Sequence, residues 1–155
     1  DYKVLHYSSP HIMKFNERIW INGNDVSDQN LDIAHKFLQE ILSLELLRKL
    51  TYFEYTTLLA LYLSKDCDYL VLEAGLGGEF DATNVVPNNL SLITPIGLDH
   101  QSFLGNTVEE IATTPQEYIS LEGEDMELFE RLMNLLNACD DVDKIYHNVE
   151  NYEGE

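Results

Sequence analysis

The chain has 155 residues, of which 45% are apolar, enough for one modest domain or one domain with an appendage. Its formal net charge of −19 argues against a nucleic-acid footprint made by this chain alone. No run approaches the roughly 20 apolar residues of a membrane span, and no basic segment leads into an apolar stretch as in a signal peptide.

Val4-Leu-His-Tyr7 reads as a short strand closed by Ser8-Ser-Pro10. Arg18-Ile-Trp-Ile-Asn22 alternates and ends in the turn signal Asn22-Gly-Asn-Asp25. From about Asp28 to Leu50, apolar residues recur at helical spacing through Leu31, Ala34, Phe37, Leu38, Ile41, Leu42 and Leu46. Thr51 opens a second helix running to about Lys65, and Thr51 with Glu54 has the spacing of a capping box. Tyr69 to Glu73 reads as a central strand, with Gly75, Gly77 and Gly78 in the turn after it. Ser91 to Ile96 is the next strand, and Thr107 to Ala112 begins a helix. This order of elements fits a parallel α/β layer.

The character changes after Ala112. Thr113-Thr-Pro115 breaks the helix. An acidic amphipathic helix is expected from about Glu124 to Ala138, with Leu128, Leu132, Leu135 and Leu136 along one face. Lys144 to Asn148 reads as a brief edge strand. Residues 113–155 hold two Lys/Arg against twelve Asp/Glu, which is −10 of the −19. That asymmetry suggests two units of different origin. Cys67 and Cys139 lie in no metal-type pair and read as reduced thiols of a cytoplasmic protein.

The chemistry concentrates in Leu70-Val-Leu-Glu-Ala-Gly-Leu-Gly-Gly-Glu-Phe-Asp-Ala-Thr-Asn84, followed by Leu98-Asp-His100. In a parallel sheet ligands sit at the carboxyl ends of strands, where Glu73, Asp99 and His100 would converge. A hard carboxylate and an imidazole beside a glycine turn suit a divalent metal carrying phosphate. The alternatives are local: Glu73 as a turn-capping carboxylate, His100 as a structural histidine, Asp99 as a capping residue. Gly75, Gly77 and Gly78 either cradle phosphate or only permit the turn, and Phe53 either packs in the core or stacks on a substrate ring.

Three blocks carry a family resemblance over residues 1–112. They are Tyr7-Ser-Ser-Pro-His-Ile-Met-Lys-Phe-Asn-Glu-Arg-Ile19, Thr51-Tyr-Phe-Glu54, and Glu73 to Asn84 with Leu98-Asp-His100. In this order and spacing they resemble the bifunctional folylpolyglutamate synthase/dihydrofolate synthase family of the Mur ligase superfamily. The resemblance implies an α/β fold, a partial parallel sheet with flanking helices, here followed by a small acidic α+β tail. It implies a cytoplasmic ligase of folate biosynthesis and one-carbon metabolism. Such a ligase phosphorylates a carboxylate with ATP and Mg2+, and the amine of L-glutamate then attacks the acyl phosphate. Dihydropteroate or folate is the acceptor. Glu73 and His100 would be the magnesium ligands, with Asp99 beside them at the catalytic edge. Ser9, Pro10, His11, Arg18 and Phe53 would face the folate. Gly75, Gly77, Gly78 and Asn84 would lie along the nucleotide.

The chain departs from that family in two places. No G-x-x-G-K-[ST] phosphate loop, expected upstream of Val4, occurs in the sequence, so no turnover is expected of this chain by itself. The E-K-A-G-I motif expected near residue 112 is also missing, and Glu79 stands where a basic residue is usual. Instead, Ile111-Ala-Thr-Thr-Pro115, Asp125 to Met133 and Asp140-Asp-Val-Asp-Lys-Ile-Tyr-His-Asn148 resemble the C-terminal end of the YebC-type regulator family. The expectation is a composite: residues 1–112 from a ligase central domain, residues 113–155 from a YebC-like tail. The alternative function is a transcription or translation regulator fragment acting as a binding module.

Overall fold

The computed structural model describes residues 2–78, 81–93, 120–139, 144–147 and 149–152. The chain divides into two compact units: Asp1–Gly75 with Asp81–Thr83, and Leu76–Phe80 with Asn84–Glu155. The expected helix from Thr107 falls outside the described residues.

The first unit is a four-stranded mixed sheet with flanking helices. Strand β1 (Val4–Tyr7) alternates as its sequence requires, with Leu5 and Tyr7 fully buried. It lies between β2 (Ile19–Ile21), antiparallel, and β4 (Tyr69–Leu72), parallel. A short β3 (Asn24–Asp25) pairs with β2 and completes the order β3-β2-β1-β4. The β2–β3 turn is Asn22-Gly23, with φ of 47° and 93°. Positive φ at both central residues matches the twist of the flanking strands, which makes Asn-Gly a hairpin signal. The strand expected over Tyr69 to Glu73 reads as central; among the described strands β4 is at the edge, and β1 and β2 are interior.

Helix α1 (Asp28–Ile41) starts at Ser27, whose hydroxyl accepts from the Asn30 amide at 3.2 Å. The single helix expected over residues 28–50 is two. Leu42 is extended, and Ser43 caps a new short helix, α2 (Leu44–Lys49), by accepting from the Leu46 amide. Serine favours caps over helix interiors because its hydroxyl bonds nearby amides. Consequently Ile41 and Leu46, expected inside, are 58% and 51% exposed. Helix α3 (Tyr52–Leu63) opens with the expected capping box: Glu54 N–H donates to Thr51 Oγ1, and Thr51 N–H donates to Glu54 Oε2 at 2.6 Å. It lies against β1, and α1 lies against it. Leu5, Tyr7, Ile19, Ala34, Leu38, Leu59 and Ala60 form the buried core.

The second unit holds β5 (Leu90–Ile93) and β6 (Lys144–His147), an antiparallel pair in their own two-stranded sheet, and helix α4 (Glu124–Asn137). β5 was expected in the parallel layer; its partner among the described strands is β6. α4 begins with Glu124, Asp125 and Glu127 in its first turn, where carboxylates oppose the helix dipole. Its buried face is Phe129 and Met133, packed with Met126, Leu121, Ile145 and Tyr152. Of the leucine face expected there, Leu128, Leu132 and Leu135 turn outward, 39%, 40% and 70% exposed, while Leu136 is half-buried. Two stripes at helical spacing run side by side on α4, and the one bearing the aromatic ring is buried.

Glu54 sits below the usual glutamate range, chiefly because the Thr51 amide donates to it and secondarily through the Thr51 hydroxyl. A depressed carboxyl stabilises the fold above its unfolded pKa, and that contribution is lost as pH falls through the folded value. Thr51→Ala is expected to cost about 1 kcal/mol at neutral pH. The gap from the parent should narrow as Glu54 protonates, which urea denaturation between pH 7 and pH 3 would read.

Candidate functional site

Parallel pairing of β1 with β4 sets their carboxyl ends side by side, with Tyr7 opposite Leu72. The chain leaving β1 and the residue leaving β4 therefore meet. Glu73 N–H donates to the Tyr7 carbonyl at 2.9 Å, and Ser9 N–H donates to Glu73 Oε2 at 3.0 Å. Glu73 is exposed, and among the described residues its Oε1 accepts no hydrogen bond. One oxygen fixed by an amide and one facing solvent is a donor arrangement that fits a hard divalent cation. This carboxylate is the only expected metal ligand described, since His100 and Asp99 lie outside the described residues.

The loop after β1 turns back through Ser9, the exposed Pro10 and His11 into one 3-10 turn, Phe15–Arg18. Arg18 is 8% exposed. Its Nε–H donates to His11 Nδ1 at 2.9 Å, and its guanidinium lies 5.4 Å from the centre of the Tyr52 ring. A guanidinium has no acceptor, so His11 Nδ1 must be unprotonated there. Ser8 N–H donates to the Arg18 carbonyl at 2.9 Å and closes the loop. Among the described residues Arg18 has no carboxylate partner.

A residue not singled out in the sequence organises this loop. Glu17 accepts from three successive amides: Ile12 at 2.7 Å on Oε2, Met13 at 2.9 Å and Lys14 at 2.7 Å on Oε1. These bonds, that of Ile12 foremost, hold its carboxyl below the usual glutamate range. A second such residue is Asp81, nearly buried. It accepts from Gly75 N–H at 2.9 Å on Oδ2, and from Thr83 N–H and Oγ1–H at 2.9 and 2.6 Å on Oδ1. The Asp-x-Thr spacing, which favours a turn closed by the aspartate side chain, was the available signal.

Phe53 packs its ring on Gly75. A Cβ built at Gly75 would stand 2.6 Å from Phe53 Cζ. The ring also tilts against Tyr7 at 5.7 Å between centroids. Ser9, His11, Arg18, Phe53, Glu73 and Gly75 thus all belong to the first unit, gathered beyond β1 and β4 or at the start of α3. Gly77, with φ of +68°, Gly78 and Asn84 belong to the second. Among the described residues no three His, Cys, Asp or Glu side chains form a metal cluster.

Over 108 residues the chain is 45% identical to the dihydrofolate synthase/folylpolyglutamate synthase of Haemophilus influenzae, covering 68% of this chain and 24% of that protein. The structure is similar to E. coli FolC in complex with DHPP and ADP, with a TM-score of 0.63 and 39% identity over 71% of this chain and 26% of that one. It is also similar to a bifunctional folylpolyglutamate synthase/dihydrofolate synthase with Mn, AMPPNP and L-glutamate bound, with a TM-score of 0.50 and 34% identity over 64% and 26% of the two chains. The resemblance to the folylpolyglutamate synthase/dihydrofolate synthase family stands. It holds over about two thirds of this chain, and the chain spans about a quarter of the length of the curated relative it matches. Independently, residues 87–149 match the family described as the TACO1/YebC second and third domain.

In the first unit, Gly75→Ala is expected to destabilise by roughly 1–3 kcal/mol, because the Phe53 ring must move to admit the methyl group. Pairing it with Phe53→Leu should give a smaller loss than the two single changes sum to, a coupling that a double-mutant cycle by thermal denaturation would measure.

Proposed function

We propose that the first unit carries the metal- and folate-facing edge of a cytoplasmic ligase that adds L-glutamate to dihydropteroate or folate at the expense of ATP, through an acyl phosphate. The observation that carries this reading is the Ser9–Glu73 hydrogen bond, which ties the loop on the folate side to the carboxylate on the metal side. The relatives support it, since their solved structures hold DHPP with ADP, and Mn with AMPPNP and L-glutamate.

In this reading Glu73 offers Oε1 to Mg2+ while the Ser9 amide keeps the carboxylate from turning away. By the resemblance, His100 would be the second ligand, with Asp99 preceding it in the sequence. A bound Mg2+ supplies neutralisation of charge on the transferring phosphoryl group. Arg18, oriented by His11 and Tyr52, presents its remaining N–H donors to a carboxylate or phosphate, for which a planar fork is suited. Phe53 and Gly75 form an apolar floor, and Ser9 and Pro10 shape the loop. Gly77, Gly78 and Asn84 serve the nucleotide. The cytoplasmic setting is the one the family resemblance implies; among the described residues no helix is long and apolar enough to cross a membrane.

The match over residues 87–149 favours a second reading for a stretch that includes most of the acidic tail, a binding module of the TACO1/YebC type. Its many carboxylates disfavour a phosphate backbone as its direct ligand.

Two measurements follow. Mn2+ titration monitored by the EPR signal of free Mn2+ should show binding that weakens at least about tenfold in Glu73→Ala. Unchanged binding would remove Glu73 from the metal site. If the tail is an independent module, ribosome or nucleic-acid association in sedimentation assays should be the same for the parent chain and Glu73→Ala.

A further inference from the structure

We infer that Glu17 is a positioning residue for substrate binding, acting through the backbone of residues 12–14 to hold the Arg18–His11 pair in its binding geometry. This inference rests on the ligase reading above.

Three observations carry it. First, one carboxylate accepts from three consecutive amides at 2.7–2.9 Å, so its two oxygens fix the path of the chain from Ile12 to Lys14. Second, those amides lie between His11 and Arg18, the two residues whose side chains must meet at 2.9 Å. Ile12 and Met13 are 88% and 84% exposed, so packing does not hold this stretch and the carboxylate must. Third, Arg18 is buried against an imidazole and an aromatic ring, neither of which neutralises it. A buried guanidinium of this kind keeps donors for an anionic ligand only while its orientation is fixed.

The side chain's chemistry is specific to this task. A carboxylate offers four lone-pair positions and no proton, so it serves three N–H donors at once. A glutamine of the same shape accepts on one oxygen only and turns an N–H2 toward amides that also donate. The lowered pKa of Glu17 agrees with this arrangement, its chief cause being the Ile12 amide, with His11 as the neighbouring titratable group.

The test uses the whole chain and three variants: Glu17→Gln, Glu17→Asp and Arg18→Lys. Dihydropteroate affinity is measured by calorimetry, and the His11 imidazole is observed by 15N NMR. In the parent, Nδ1 should show the shift of an unprotonated acceptor. Glu17→Gln should lose that signature and weaken dihydropteroate binding about tenfold, with the melting temperature of the parent nearly retained. Glu17→Asp, which keeps the charge, should recover part of both. An unchanged His11 signature and affinity in Glu17→Gln would overturn the inference, as would a loss of affinity with the signature intact. If Glu17→Gln fails to fold, the parent decides: protection of the Ile12, Met13 and Lys14 amides should fall together as pH drops below the ordinary glutamate range, and independent behaviour would overturn the assignment. Arg18→Lys separates the two levels. If it leaves dihydropteroate affinity unchanged, or the parent binds none, the ligase reading of this loop fails. If it weakens binding and Glu17→Gln does not, only the role of Glu17 fails.

Discussion

The parallel pairing of β1 with β4 is the constraint on which the first unit depends. Antiparallel neighbours place the end of one strand beside the start of the other, whereas parallel neighbours bring two carboxyl ends together. Here that juxtaposition delivers the Ser8–Lys14 loop and Glu73 to the same edge from positions 64 residues apart, as the Ser9–Glu73 bond records. The pairing is secured from below by Leu5 and Tyr7, which point from β1 into the core, and by α3 lying against them. Tyr7 contributes twice: its ring packs on Phe53, and its hydroxyl bonds Thr56 Oγ1 at 2.7 Å, so burial leaves no orphaned polar atom there.

An acidic chain uses its carboxylates here less as charges than as acceptors. Glu17, Glu54, Glu73 and Asp81 each accept from at least one backbone N–H. In each case the amide belongs to a segment that has no strand or helix partner for it: a loop, a helix start, or a glycine turn. Such bonds to an ionised acceptor are stronger than neutral ones. The one ion pair among the described residues, Lys49 with Glu45, is by contrast exposed on both sides and contributes little. Local geometry at the candidate site therefore rests on carboxylate–amide bonds, not on charge pairing.

Much of this was legible in the sequence, for physical reasons that differ between elements. The capping box at Thr51 and the Asn22-Gly23 turn are local: the residues that make the feature are within four positions of one another, and both appear as expected. Glu73 at the end of an apolar strand was equally readable, because strand and turn chemistry meet at one residue. What local pattern could not supply was rank and partner. Tyr69 to Leu72 is apolar enough for a central strand, yet centrality depends on which strands pair, and β1 and β2 took the interior places. On α4 the choice between two adjacent apolar stripes was made by packing against β6 residue Ile145 and Tyr152, far away in sequence. Ser43 was a readable exception that helical periodicity masked: the apolar spacing continues across it while the backbone does not. Glu17 and Asp81 lay within motifs whose other members attracted attention, and their bonds run to amides, which leave no mark on side-chain pattern.

Arg18 shows how these levels meet. Burying a cation costs free energy unless something replaces its hydration. A carboxylate partner would do so, and would also saturate the fork that an anionic substrate needs. The fold instead gives Arg18 a neutral imidazole nitrogen for Nε–H and the face of Tyr52 for its plane. Both orient the group without neutralising it. Lysine could not take its place, since a single ammonium cannot donate sideways to His11 and forward to a ligand from a stacked plane. The incomplete compensation leaves Arg18 with a positive charge that the described side chains do not balance. Such a site must be rigid before the ligand arrives, and rigidity in an exposed loop requires an acceptor for its amides. Glu17 occupies the adjacent position in the chain, so the buried cation and the carboxylate that fixes the loop before it are neighbours within one 3-10 turn.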